Sequence, residues 1–161
     1  MEDLKFKLDD KNEFSIRVIG IALKGDKVLL HGINGKNEKN EWRFPGGSVK
    51  IFESSEQAIK REFLEELGEN INIERVYGIV EDFFMFKNSV KVHQLAIYYL
   101  VKFNDDSKYL NLDEFEGIED GKNMKFKWRD INSNEFVKPK LIFDELKKNN
   151  KTIQHYILNE L

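Results

Sequence analysis

The stretch from Trp42 to Gly68, W-R-F-P-G-G-S-V-K-I-F-E-S-S-E-Q-A-I-K-R-E-F-L-E-E-L-G, decides how the rest of the chain is read. Its second half predicts a helix. Ser54 followed by Gln57 has the spacing of a capping box, which sets the start near Ser55, and Gly68 with Asn70 marks the end. On that helix Glu62, Glu65 and Glu66 stand at i, i+3 and i+4, so at ~100° per residue they share one face. Glu69 extends the stripe if the helix runs past Gly68. Ile59, Phe63 and Leu67 form the adjoining apolar stripe, so one side packs on a core while its neighbour is crowded with negative charge. Like charges at this spacing cost roughly 0.2–0.5 kcal/mol per pair. No lysine or arginine lies within the stripe to offset that cost, whereas a bound divalent cation would. Clustered carboxylate oxygens suit a hard ion such as magnesium or manganese.

An isolated E-x-x-E-E is usually a solvated face. Here its surroundings argue otherwise. In order, Gly47, Glu53, Arg61, Glu62, Glu65, Glu66 and Gly68 match G-x5-E-x7-R-E-U-x-E-E-x-G-U, where U is apolar and Phe63 fills the first such slot. Seven fixed residues coincide on the order of once in 10⁸ placements. On these residues the chain resembles the Nudix hydrolases, MutT-like members among them. The box with its leading Trp-x-x-Pro-Gly-Gly covers about a sixth of the chain. Lys50 stands where the family commonly has an acid, Phe52 where it has glycine, and Glu69 occupies the last apolar slot, whose packing role falls to Ile71. The first two departures bear on loop shape and metal stoichiometry.

The resemblance implies an α/β fold, of the α+β kind: an α/β/α sandwich with a mixed β-sheet and the box as a loop–helix–loop at one sheet edge, in a single domain spanning 1–161. It implies hydrolysis of a nucleoside diphosphate linked to another group, with Mg²⁺ as cofactor and Mn²⁺ as its substitute. Glu62, Glu65 and Glu66 would hold the metal, with the carbonyl of Gly46 as a further oxygen ligand. Glu62 is the first candidate for the base and Glu65 the second. Arg61 would orient the catalytic glutamate, and Glu53 completes the catalytic group. Some Nudix enzymes place the base outside the box, and the acidic loop offers Asp113, Glu114, Glu116 and Glu119 for that role. Arg43, Phe83, His93 and Tyr99 are candidates for substrate contact. The alternative is a Nudix-fold sensor that binds a nucleotide without cleaving it.

Composition narrows the partners. The 161 residues carry 40% apolar and 34% charged side chains with a net charge of −3, the balance of a soluble globular protein rather than a duplex-binding one. There is no cysteine, which excludes disulfides, thiolate catalysis and cysteine-based zinc sites. Neither a signal-like N-terminus nor a run near the ~20 apolar residues of a membrane span is present. A cytoplasmic enzyme acting on a small nucleotide, as monomer or homodimer, is expected. Walker, dinucleotide-binding, nucleophile-elbow and kinase motifs are absent.

Along the chain, residues 1–13 read as an arm or short edge strand. Phe14 to Leu23 and Lys27 to His31 form a hairpin about Gly25-Asp26, Gly35 to Asn40 a polar loop, and Trp42 to Phe44 a short strand. Ile71 to Phe86 and Val90 to Phe103 form a long hairpin whose second strand is apolar on both faces, hence covered on both sides. The aromatic run at 83–86 is read as core. Residues 104–123 are expected as a loop and Met124 to Arg129 as a strand. Pro139 fits the first turn of a helix with Leu141, Ile142, Phe143 and Leu146. Ile153, Tyr156, Ile157 and Leu161, at helical spacing, predict a final docked helix carrying His155. His31 and His155 are read as structural or surface residues.

Overall fold

A computed structural model describes residues 1–33, 41–87 and 89–161 of the chain. The polar loop expected at Gly35 to Asn40 lies outside the described residues. In order the elements are β1 (Lys5–Lys7), β2 (Asn12–Lys24), β3 (Lys27–Ile33), β4 (Trp42–Arg43), β5 (Gly46–Ser48), α1 (Ser55–Leu67), β6 (Ile71–Phe86), β7 (Val90–Phe103), β8 (Glu114–Glu116), β9 (Met124–Asp130), β10 (Val137–Lys138), α2 (Lys140–Glu145) and β11 (Gln154–Asn159). Residues 1–13 supply the expected edge strand, β1, paired with β2.

The sheet runs β10-β4-β3-β2-β7-β6-β11, with β1 and β5 also on β2, and β9 joining β3 to β8. It is mixed. β7 runs antiparallel to β6 as the long hairpin requires, yet parallel to β2, from Asn12↔Lys91 to Ala22↔Val101. Central placement between two strands accounts for β7 being apolar on both faces. On one face α1 buries Ile59, Phe63 and Leu67 against Val18, Tyr99 and Val101; on the other α2 buries Ile142 and Phe143 against Ile21, Val80 and Tyr98. This is the expected α/β/α layering. Gly20 allows the close fit of α1, because a Cβ there would lie 2.5 Å from Cε2 of Phe63. No helix among the described residues is long and apolar enough to cross a membrane.

Several expectations are corrected. The final segment is not a helix: β11 lies parallel to β6 in register from Gln154↔Gly78 to Asn159↔Phe83. Its burial alternates, with Tyr156 and Leu158 turned inward and Ile157 outward, so the helical spacing of its apolar residues was incidental. The open edge of β6 recruits it, and Gly78 permits the approach, since a Cβ there would meet Gln154 O at 2.7 Å. Within the expected loop at 104–123 sit a 3₁₀ turn (Lys108–Asn111) and β8. β8 is too short and charged to show a pattern, yet it turns Phe115 inward to stack on Phe126. Pro139 is the N-cap of α2 rather than part of its first turn. The aromatic run is not core either: Phe83 and Phe84 are half-buried and Phe86 is exposed. His155 belongs to β11, where Nε2 lies 2.8 Å from Glu81 Oε1.

Phe63 is fully buried beneath the acidic side of α1. Phe63→Ala is expected to lower unfolding free energy by about 3–5 kcal/mol, measured by denaturant titration, and an unchanged midpoint would contradict this packing.

Candidate active site

The helix that carries the carboxylates is fixed at both ends and in the middle. Ser54 Oγ accepts from Gln57 N at 3.2 Å while Ser54 N donates to Gln57 Oε1 at 2.9 Å, completing the capping box. Gly68, at φ 68°, closes the C-terminus with its N–H on Leu64 O. The Tyr99 hydroxyl lies 2.7 Å from Ser55 Oγ and ties the first turn to β7. Glu69 falls beyond the left-handed turn, so the acidic stripe ends at Glu66. Ile71 is buried in the same cluster as Leu67, as expected of the residue that replaces Glu69 in packing.

The expectation that no cation offsets the stripe is overturned by Arg61. Its Nε donates to Glu53 Oε1 at 2.7 Å and its Nη2 to Glu53 Oε2 at 3.0 Å, a bidentate fork. Nη2 also donates to Ser48 O at 2.9 Å, and Nη1 donates to Glu62 Oε1 at 2.6 Å and Glu65 Oε2 at 3.0 Å. Glu53 in turn accepts from Lys50 N at 3.0 Å. The Arg61 fork, followed by that backbone bond, holds the Glu53 carboxyl below its usual range against the effect of burial. Lys50 Nζ, 3.7 Å from Glu65 Oε1, adds a second cation at the exposed end.

Glu62 and Glu66 are buried although charged groups rarely are, with 7% and 3% of their surface exposed. Gly47 makes room for Glu62, because a Cβ there would lie 2.1 Å from its carboxylate. Glu66 Oε2 is buried with no hydrogen-bond partner among the described residues, and Glu119 Oε2 shares that condition. Burial, then the nearby Glu62, pushes the Glu66 carboxyl up to about 8, while Lys122 opposes the shift. Lys122 Nζ lies 2.8 Å from Glu119 Oε1, so of the four acids offered by the loop it is Glu119 that reaches this cluster. Asp113 pairs with Lys27, and Glu114 with Lys125 and Arg129. Among the described residues no three acidic or imidazole groups yet converge as a cage. Unpartnered carboxylate oxygens beside a second buried carboxylate are nevertheless the donor set a hard divalent cation requires, so the residues fit one.

From the carboxylates a polar tract leads to the sheet face opposite α1. Arg17, on β2, donates from Nη2 to Gly46 O at 3.4 Å and lies in the field of Glu62, Arg43 and Tyr98. Arg43 thus stands in the tract as a candidate substrate contact. His31 lies beside it, its imidazole pushed down to about 4 by burial and by Arg43 and Arg17. The other three candidates are placed elsewhere. Tyr99 is buried in the core under α1. Phe83 and His93 stack on each other at 4.4 Å, His93 edge-on to Phe14, on the face away from Arg17. Arg17, Lys122, Tyr98 and Asp82 were missed. For Arg17 the signal was available: a lone charge inside the run F-S-I-R-V-I-G-I-A-L.

Phe52 precedes the helix at φ 64° and is 99% exposed. A bulky residue in the left-handed region is strained, which explains why a glycine suits the position. Phe52→Gly is expected to stabilise the protein by about 1 kcal/mol, read as a raised thermal midpoint.

Comparison with known proteins gives the family and the fold. The profile of the NUDIX domain matches residues 13–150. An 8-oxo-dGTP diphosphatase of Buchnera aphidicola from Schizaphis graminum is 32% identical over 108 residues, covering 58% of this chain and 81% of that protein. Its counterpart from Acyrthosiphon pisum is 59% identical over 42 residues, a match spanning only 34% of that relative's length. Among solved structures, a NUDIX hydrolase from Nitrosomonas europaea superposes with a TM-score of 0.62 at 21% identity, covering 91% of this chain and 79% of that one. A MutT protein from Methanosarcina mazei gives 0.61 at 19% identity over 91% of this chain and all of its own length, 100%. At such identities the likeness speaks for the fold. A profile running through most of the chain, with the Schizaphis relative beside it, places the protein in the Nudix family.

Proposed function

We propose that residues 1–161 act as one cytoplasmic domain that hydrolyses the pyrophosphate linkage of a nucleoside diphosphate joined to another group. The Arg61 fork carries this reading, because it binds the loop, Glu53, Glu62 and Glu65 into one rigid unit. With Glu62 reserved for the proton, Glu65, Glu66 and the carbonyl of Gly46 are the groups assigned to a divalent cation, with Glu119 as a further acid. When bound, Mg²⁺ or Mn²⁺ would screen the substrate's negative charge and polarise a P–O bond.

The chain's own residues do the rest. Glu62 takes the proton of the attacking water as the new O–P bond forms and the anhydride P–O bond breaks. Arg61, on the other oxygen of Glu62, keeps that carboxylate aimed, and Glu53 keeps Arg61 aimed. Arg17 and Arg43 face the phosphates. The Buchnera relatives are named for 8-oxo-dGTP, so nucleoside triphosphates bearing an oxidised guanine head the substrates to test.

A panel of nucleoside diphosphate derivatives, with and without Mg²⁺, tests the reading by released phosphate, pyrophosphate or monophosphate. Metal-independent turnover would contradict it, and no turnover at all would leave a nucleotide-binding module. Glu62→Gln should lower kcat by roughly 10²–10⁴-fold, the scale of general-base catalysis, with substrate binding retained. A rate within a few-fold of wild type would move the base elsewhere, with Glu119 next. Glu66→Gln should instead weaken metal affinity, seen by Mn²⁺ calorimetry, and its lost rate should recover in part at high Mg²⁺.

A further inference from the structure

The carboxylates around α1 are compensated at one end and open at the other. At the exposed end Glu65 has a cation on each oxygen. Lys50 Nζ lies 3.7 Å from Oε1, and Arg61 Nη1 donates to Oε2 at 3.0 Å. At the buried end Glu66 Oε2 and Glu119 Oε2 have no hydrogen-bond partner among the described residues. Lys122, the cation on that side, lies 2.8 Å from Glu119 Oε1 and leaves Oε2 without one. The backbone delivers Lys50 to its place. Its N–H donates to Glu53 Oε2 at 3.0 Å and its carbonyl accepts from Glu53 N at 3.1 Å, while a bridge to Asp3 holds the strand side. The next residue, Ile51, donates from its N–H to Glu2 O at 2.8 Å. With the chain pinned on both sides, 27% of the Lys50 side chain is exposed.

As a stabilising contact the Lys50–Glu65 pair counts for little, because 40% of the Glu65 side chain is open to water. Its consequence is exclusion. A hard divalent ion needs several oxygen ligands, and at this end Glu65 offers no oxygen free of a cation. An ammonium held so close also repels an incoming ion of the same sign. The charge of the whole cluster points the same way. The carboxylates of Glu53, Glu62, Glu65, Glu66 and Glu119 stand among the cations of Arg61, Lys50, Lys122 and Arg17. Fully ionised, that set carries one uncompensated negative charge. One divalent ion reverses the balance, and the open oxygens of Glu66 and Glu119 face it. A second would enter a cluster already positive, beside the ammonium on the oxygen it would use.

We propose that Lys50 is a built-in cation standing in for a second divalent ion, so that the chain without nucleotide holds one. Lys50 acts through Glu65 and is a positioning residue. The proposal rests on the metal reading given above, and its test reads binding rather than turnover. Titration of the full chain with Mn²⁺ alone, the free ion followed by electron paramagnetic resonance, should give one tightly held ion per chain. Lys50→Ala should give two, and Lys50→Arg, which restores the charge, should give one. Adding Glu65→Gln to Lys50→Ala should return the count to one, a pattern that a merely structural role for Lys50 would not produce. Lys50→Gln keeps the length of the side chain without its charge, so it decides the matter if Lys50→Ala does not fold. Two ions on the unaltered chain, a single ion on folded Lys50→Ala, or two ions retained after Glu65→Gln is added would each overturn the assignment. No bound Mn²⁺ at all would overturn it together with the metal reading, whereas two ions on the unaltered chain would leave that reading standing.

Discussion

The site depends on one guanidinium. Arg61 places donor hydrogens on a carbonyl at the end of β5 and on three carboxylates that come from eight residues before it, one after and four after. The spacing of the box therefore reads as a geometric requirement: a planar fork meets Glu53 edge-on only if loop and helix are held at one separation. Lysine carries the same charge but lacks that fork. Only 19% of the Arg61 side chain and 7% of that of Glu53 are exposed, so deleting either leaves a poorly solvated charge behind. The network is a device for position at least as much as for stability.

Glycine does the complementary work. Gly20 admits Phe63 to the sheet and Gly47 admits the carboxylate of Glu62, so the helix sinks until two of its acids are buried. Their repulsion is met unevenly. Glu62 has Arg61, while Glu66 has an oxygen with no partner among the described residues and a distant lysine. The result is a helix whose hydrophobic anchoring holds charge in a place where charge alone would not settle.

Much of this was legible in the sequence because it is periodic or capped. The limits of α1 followed from Ser54, Gln57 and Gly68, and the β6–β7 hairpin from two long β-rich runs. β11 was not legible, because six residues with Tyr156, Ile157 and Leu158 adjacent fit either period, and only the open edge of β6 chooses between them. β8 escaped notice since its single inward residue, Phe115, makes no pattern. The substrate side fared worst. Tyr99 and Tyr98 are neighbours in sequence, yet strand alternation sends one under α1 and the other to the polar tract. Which face would bear Arg17 depends on β2 lying beside β7, a pairing no local signal announces.

That pairing also sets the order in which the molecule can be built. The β6–β7 hairpin closes over a short turn, whereas Asn12 must find Lys91, 79 positions later. Bringing such distant segments together costs chain entropy before any contact is made, and parallel pairs of this kind form slowly. β5 takes its place only on β2. The strand that presents Ser48 and Gly47 to the helix thus reaches the β6–β7 hairpin only through β2. A chain with the β6–β7 hairpin closed and that distant pairing unmade would hold its longest hairpin while the box lay unseated on the sheet.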